Sequence, residues 1–182
     1  ELGVPVFAHA LARAPLDKLG IELDGTLEDG QRIVLGGDPP FPLCVLHTPG
    51  HTPGHLAFFD ETHGSLIAGD LAAGVGTIVI DPPEGDMDAY LRSLERALEL
   101  GPHTVFPAHG PPLVPAVGKL HELREHRLRR EQKVLDAWRN GKKTPGAMVA
   151  EVYDDAPKEV HPIAERQIAA HLARLEKLGR LD

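Results

Sequence analysis

The stretch His47-Thr48-Pro49-Gly50-His51-Thr52-Pro53-Gly54-His55 is followed by Ser65-Leu66-Ile67-Ala68-Gly69-Asp70 and later by Phe106-Pro107-Ala108-His109-Gly110. A histidine, an aspartate and a second histidine thus each stand just past an apolar, strand-like run, on a turn that glycine or proline sharpens. Imidazole and carboxylate donors on stiff strand ends suit a catalytic divalent ion, which takes neutral histidines and carboxylates and keeps one position open for water. Pro49 fixes the approach of the chain and Gly50 frees the backbone for a sharp bend, so His51 is the first ligand candidate. His47 and His55 lie close enough in sequence to be alternatives. Asp70 can bridge two ions through its carboxylate, and His109 repeats the strand-end placement of His51. The candidate catalytic and metal-binding set is therefore His51, Asp70 and His109. His9, His63, His103, His121, His126, His161 and His171 read as ordinary polar residues, and Asp81 and Asp86 as turn and cap residues. No His-x-His or His-x-x-x-Asp-His cluster stands ahead of these motifs.

The elements that must position this set can be read from period and punctuation. Glu1-Leu2-Gly3 reads as the end of a helix, and Val4 to His9 as a buried strand after it. Pro15 to Gly20 is helical or irregular, and Asp29-Gly30 turns the chain into a strand ending at Leu35. Leu43 to His47 is the next strand, Leu56–Asp60 and Ser65–Gly69 form a hairpin, and Thr77-Ile78-Val79-Ile80 is a further apolar run leading into Asp81-Pro82-Pro83. Asp86 caps a helix from Met87 to Leu100 with Tyr90, Leu91, Leu94 and Leu98 on one face. Thr104 to Pro107 is a last short strand that delivers His109. Beyond the prolines at 111, 112 and 115 the pattern is helical: Gly118 to Asn140, then a helix opened by Thr144-Pro145, then Pro162 to Leu178 with Ile163, Ile168, Leu172, Leu175 and Leu178 as its apolar stripe. Arg180-Leu181-Asp182 reads as the start of a strand. The fold class is α/β, with an α/β unit over 1–117 and a small helical unit over 118–182.

Composition narrows the possibilities. The chain has 182 residues, 42% hydrophobic and 25% charged, as expected of a globular protein with a core of its own. A single cysteine, Cys44, excludes an internal disulfide framework and fits a reducing, cytoplasmic setting. No apolar run approaches the roughly 20 residues of a membrane span, so no membrane partner is expected. The net charge of −8 is unevenly divided: residues 1–117 carry 5 Lys and Arg against 16 Asp and Glu, and residues 118–182 carry 14 against 11. The α/β unit is therefore strongly acidic and the helical unit mildly basic.

Thr48-Pro49-Gly50-His51-Thr52-Pro53-Gly54-His55, Ala68-Gly69-Asp70 and Pro107-Ala108-His109-Gly110 resemble the later metal motifs of the metallo-β-lactamase-fold hydrolases. The segment from Lys119 to Asp182 resembles the winged-helix module appended in the β-lactamase-like protein 2 group, on Glu125-His126-Arg127-Leu128-Arg129-Arg130-Glu131-Gln132 and the final helix. The resemblance implies the C-terminal portion of an αββα sandwich followed by a small winged-helix-like domain. It makes His51 a ligand of one metal, His109 a ligand of the other, Asp70 the bridge, and His55 a supporting residue. The implied cofactor is zinc, two ions in the full-length protein, with manganese or iron as alternatives. The family's His-x-His-x-Asp-His motif would lie upstream, in a segment of about 80 to 100 residues.

The function implied is metal-dependent hydrolysis, through a metal-bound hydroxide, of an ester, thioester, lactone or phosphodiester. The winged-helix likeness tilts the substrate toward RNA, and this chain alone is expected to turn over poorly. Half a sandwich leaves an apolar sheet face uncovered, so a homo-oligomer or a partner segment supplying the missing half is expected. The competing reading is a non-catalytic nucleic-acid-binding or dimerisation module on an inactive half-fold. It rests on Arg124, Arg127, Arg129, Arg130, Lys133, Arg139, Lys142 and Lys143, which alternate with glutamates as on a solvated helix. Trp138 stands alone near the helix end, a core residue rather than a base-stacking platform.

Overall fold

A computed structural model describes residues 3–181. The strands are β1 (Phe7–Ala8), β2 (Gly25–Thr26), β3 (Arg32–Leu35), β4 (Phe41–His47), β5 (Leu56–Asp60), β6 (Ser65–Ala73) and β7 (Thr104–His109). The α-helices are α1 (Arg13–Lys18), α2 (Met87–Glu99), α3 (Ala116–Arg139), α4 (Pro145–Val152) and α5 (His161–Lys177). Five strands form one sheet in the order β3-β4-β5-β6-β7, and β1 pairs only with β2. Neighbours from β3 to β6 are antiparallel, whereas β7 returns parallel to β6 after the α2 crossover.

Alternation along the strands gives the sheet two different faces. Leu46, Ala57, Leu66, Ala68 and Val105 turn to one side and pack with Tyr90, Leu91 and Leu94 of α2 in a common core. On the other side Phe58, Ile67 and Phe106 stand in one cross-strand row, with Ile67 and Phe106 more than 40% exposed. A second core is built by Val134, Leu135, Met148, Val149, Ile168 and Leu175. Helix α3 joins the two, since Leu120 belongs to the first core and Val134 to the second. No helix among the described residues is long and apolar enough to cross a membrane.

Most expected elements form where sequence places them. Asp86 caps α2 by accepting the Ala89 N–H at 2.9 Å, and Thr144 caps α4 with Pro145 in its first turn. The apolar run Thr77–Ile80 buries Ile78 and Ile80 without joining a ladder; side chains from distant helices take up its backbone groups instead. Other expectations are corrected. The expected strand from Val4 reduces to β1, exposed at Phe7 because no layer covers it. Ile163 and Leu178 are exposed and so lie off the buried stripe of α5. Arg180 and Leu181 do not form a strand. The readings on Glu1, Leu2 and Asp182 lie outside the described residues.

Candidate metal centre

His51 owes its place to a turn pinned on α2. Gly50 has φ +141°, and a Cβ there would stand 2.3 Å from the Tyr90 Cα, so only glycine lets the turn lie against the helix. The Pro49 carbonyl accepts the Ser93 hydroxyl at 2.7 Å, and the Gly50 carbonyl accepts the Asp86 N–H at 2.9 Å. Beyond the turn, the His51 Nδ1 lies 2.7 Å from the Val79 carbonyl. A carbonyl only accepts, so Nδ1 carries a proton, and the neutral ring then presents its lone pair at Nε2. That nitrogen stands 3.8 Å from the Asp70 Oδ2.

Asp70 sits inside β6, just past a break in register with β7 around Gly69. Its backbone N–H donates to the His55 Nε2 at 2.9 Å, and the His55 Nδ1 meets the Thr48 hydroxyl at 2.8 Å. Nε2 is therefore an acceptor, the ring is the neutral Nδ1–H form, and both nitrogens are occupied. Burial pushes the His55 pKa below its ordinary value, with the Asp70 charge opposing, which keeps the imidazole neutral. His55 holds Asp70 rather than a metal. Gly69, at φ +52°, makes room: a Cβ would sit 2.7 Å from the His55 Nε2. His109 ends β7 opposite Ala73, and its Nε2 lies 3.3 Å from the Asp70 Oδ1 with 70% of the side chain exposed.

The donor set fits the bridging part of a metal centre. Two ligands of one tetrahedral zinc, at bond lengths of about 2.0–2.1 Å, stand about 3.3 Å apart. The His109–Asp70 separation of 3.3 Å matches this, and the His51–Asp70 separation of 3.8 Å is somewhat wider. Among the described residues no group of three His, Cys, Asp or Glu closes around one position. The three candidates instead form two pairs that share Asp70, so each ion would find one imidazole and one carboxylate oxygen. That is fewer than the three protein ligands of a catalytic zinc.

His47 is turned away, with its ring stacked on His9 at 4.0 Å between centroids and its Nε2–H donating to the Pro53 carbonyl at 2.8 Å. Asp81 accepts from Arg166 at 3.0 Å, and Asp86 is spent on its helix cap.

Sequence reasoning missed Thr48, the Val79 carbonyl and Gln167, and counted Arg127 only among the basic residues of a solvated helix. One signal was available. Arg127 lies seven residues from both Leu120 and Val134, on the stripe of α3 that is buried, and an arginine there needs an inward partner. The first two act through a local hydroxyl and a backbone carbonyl, which leave no pattern in sequence.

The sequence profile of the "Metallo-beta-lactamase superfamily" matches residues 8–109, and that of the "Beta-lactamase associated winged helix domain" matches residues 144–182. A "Beta-lactamase-like protein 2 homolog" of Drosophila melanogaster is 35% identical over 140 residues, covering 75% of this chain and 46% of the relative. An "Atrochrysone carboxyl ACP thioesterase" of Aspergillus chevalieri is 32% identical over 119 residues, covering 65% of this chain and 37% of the relative. This chain thus spans less than half the length of either. The crystal structure of a metallo-beta-lactamase family protein from Thermus thermophilus superposes with a TM-score of 0.81 at 24% identity, over 98% of this chain and 68% of that one. The fold, the ordered motifs and the profile over more than half of its length establish that the chain belongs to the metallo-beta-lactamase superfamily.

Proposed function

We propose that the chain carries the bridging portion of a hydrolase centre with two divalent ions. Asp70 lies between them, His51 holds one ion and His109 the other, and the substrate is an ester, thioester, lactone or phosphodiester. The observation that carries this reading is the Asp70 carboxylate, whose two oxygens face the Nε2 atoms of two different histidines at 3.8 and 3.3 Å. A divalent ion supplies polarisation of a carbonyl or phosphoryl oxygen and activation of water. The chain's own residues prepare for it. Val79 fixes the His51 tautomer so that the neutral ring presents Nε2, His55 anchors the backbone of Asp70, and exposed His109 leaves an open side for substrate. Zinc suits this mixture of imidazole and carboxylate, with manganese and iron next.

A thioester or other carbonyl ester is the favoured substrate class. The thioesterase relative supports it, and the 16 acidic against 5 basic residues over 1–117 weigh against a polyanion at the site. The basic residues that supported nucleic-acid binding are largely spent. Arg124 pairs with Glu95, Arg130 with Asp155 and Lys133 with Asp154, while Arg127 is buried.

The test is a zinc titration followed by long-range proton–nitrogen NMR of the imidazoles, beside metal content by mass spectrometry. Zinc should shift the Nε2 resonances of His51 and His109 and leave those of His55 in place. Metal content should fall to background in the His51→Ala/Asp70→Ala/His109→Ala variant. Undisturbed His51 and His109 at saturating zinc, or metal retained by the triple variant, would remove the reading.

A further inference from the structure

The segment that fixes His51 has no ladder of its own, and it is held almost entirely by the C-terminal helices. Arg127 of α3 donates from Nη2 to the Thr77 hydroxyl at 2.7 Å and to the Ile78 carbonyl at 2.5 Å. Its Nη1 donates to the Gln167 Oε1 of α5 at 2.8 Å, and the same oxygen accepts the Ile80 N–H at 3.4 Å. Arg166 of α5 reaches Asp81 at 3.0 Å. The backbone is thus gripped at Ile78 and Ile80 on either side of Val79, whose carbonyl holds the His51 Nδ1–H.

Both gripping side chains are interior ones: Arg127 is 3% exposed and Gln167 2%. Arg127 also lies 5.3 Å from the centre of the Tyr90 ring. Tyr90 supports the Gly50 turn from below and donates its hydroxyl to the Leu71 carbonyl at 2.9 Å, one residue beyond Asp70. One guanidinium therefore touches the supports of both His51 and Asp70. A buried arginine costs several kcal/mol unless its donors are all met, so its satisfied geometry is highly specific.

We infer that Arg127 and Gln167 are positioning residues for His51: through the Thr77–Ile80 segment the C-terminal helical module sets the tautomer and orientation of this histidine. This rests on His51 being the metal-facing residue proposed above. It assigns the appended helices a role inside the hydrolytic centre, distinct from any contact they make with a substrate. Partners that orient a ligating histidine in this way typically change metal affinity by 10–100-fold when removed.

The test uses the full chain with Arg127→Met and Gln167→Leu, and Arg130→Met as the control. Arg130 is the other buried arginine of α3, but its partners are Asp155, the Val152 carbonyl and the Tyr153 ring. Imidazole NMR of the metal-free protein reads the tautomers of His51 and His55, and a zinc titration reads affinity. Arg127→Met and Gln167→Leu should move His51 from the pure Nδ1–H form to a mixture and weaken zinc by roughly 10- to 100-fold. His55 should keep its tautomer, Arg130→Met should change neither reading, and Arg127→Lys should recover part of the effect. If Arg127→Met does not fold, Gln167→Leu and Arg127→Lys carry the comparison. An unchanged His51 tautomer overturns the inference. So does an equal change in Arg130→Met, which would make the effect general loosening. The tautomer is read without metal, so failure of zinc to bind the unmodified chain would remove the metal reading and leave this result standing.

Discussion

The site is built from small tolerances at single residues, and the glycines show which tolerance matters most. At Gly69 an alanine would need the left-handed backbone, costing about 1–2 kcal/mol, and its Cβ would meet a side-chain atom, the His55 Nε2, at 2.7 Å. At Gly50 it would meet the Cα, Cβ and N of Tyr90, all within 2.5 Å, and those atoms cannot yield without shifting α2. Overpacking against a fixed helix adds about 1–3 kcal/mol to the strain. Gly50→Ala should therefore cost distinctly more in urea unfolding than Gly69→Ala. Gly69→Ala, for its part, should disturb the Asp70 amide resonance, because it displaces the His55 acceptor. Equal unfolding costs for the two would mean that the Gly50 turn is not clamped as described.

At the scale of elements, α2, α3 and α5 meet around a buried charge cluster that bears on stability against pH. His171 of α5 is fully buried, with its Nδ1 3.4 Å from the Glu131 Oε2 of α3 and its Nε2 without a partner. Arg174 of α5 joins Glu131 at 2.5 Å and Asp88 of α2 at 3.2 Å, where Arg92 and Lys177 also reach. Burial pushes the His171 pKa below its ordinary value; Glu131 opposes that shift, while Arg127 and Arg174 reinforce it. Glu131 is raised by burial, but hydrogen bonds from His171 and Arg174 outweigh this and leave its pKa lowered. As pH falls below about 6.5, the unfolded chain takes up a proton on residue 171 that the folded chain refuses. Stability should then drop by up to about 1.4 kcal/mol per pH unit until the lowered folded pKa is passed. Loss through Glu131 follows only below its ordinary carboxylate range. Urea unfolding of His171→Gln should show a flatter dependence between pH 6.5 and 5, a window set by the direction of the His171 shift; an unaltered slope would assign the dependence elsewhere. Sequence made α2, its Asp86 cap and the β5–β6 hairpin legible, because cap, period and turn residues are local signals. Thr77–Ile80 was legible only as an apolar run, because its partners, Arg127 and Gln167, lie 49 and 87 residues away and leave no periodic trace. His51, Asp70 and His109 could be singled out by their glycine and proline neighbours, whereas the His51 tautomer is set by the Val79 carbonyl and that of His55, which anchors Asp70, by the Asp70 N–H.

For the molecule as a whole, the face of the five-stranded sheet opposite α2 is buried at Leu43 and Val45 of β4 but open over β6 and β7. The row Phe58, Ile67 and Phe106 runs across three adjacent strands on this face, with Ile67 and Phe106 42% and 43% exposed. Val34 and Leu35 at the β3 edge add further exposed apolar surface. Burying apolar area is worth about 25 cal/mol per Å2, so exposed apolar side chains of this kind favour association over exposure. The metal pairs are open as well: among the described residues no third His, Cys, Asp or Glu closes around either of them. The 182-residue chain should therefore associate as concentration rises through the micromolar range in sedimentation velocity. Ile67→Lys/Phe106→Lys should return it toward monomer, because neither position contributes to the α2 core and charge on that row cannot be buried without a partner. The His51→Ala/Asp70→Ala/His109→Ala variant should associate as the unmodified chain does if apolar surface drives contact. Association lost in that variant but kept in the lysine pair would show instead that copies meet through shared metal.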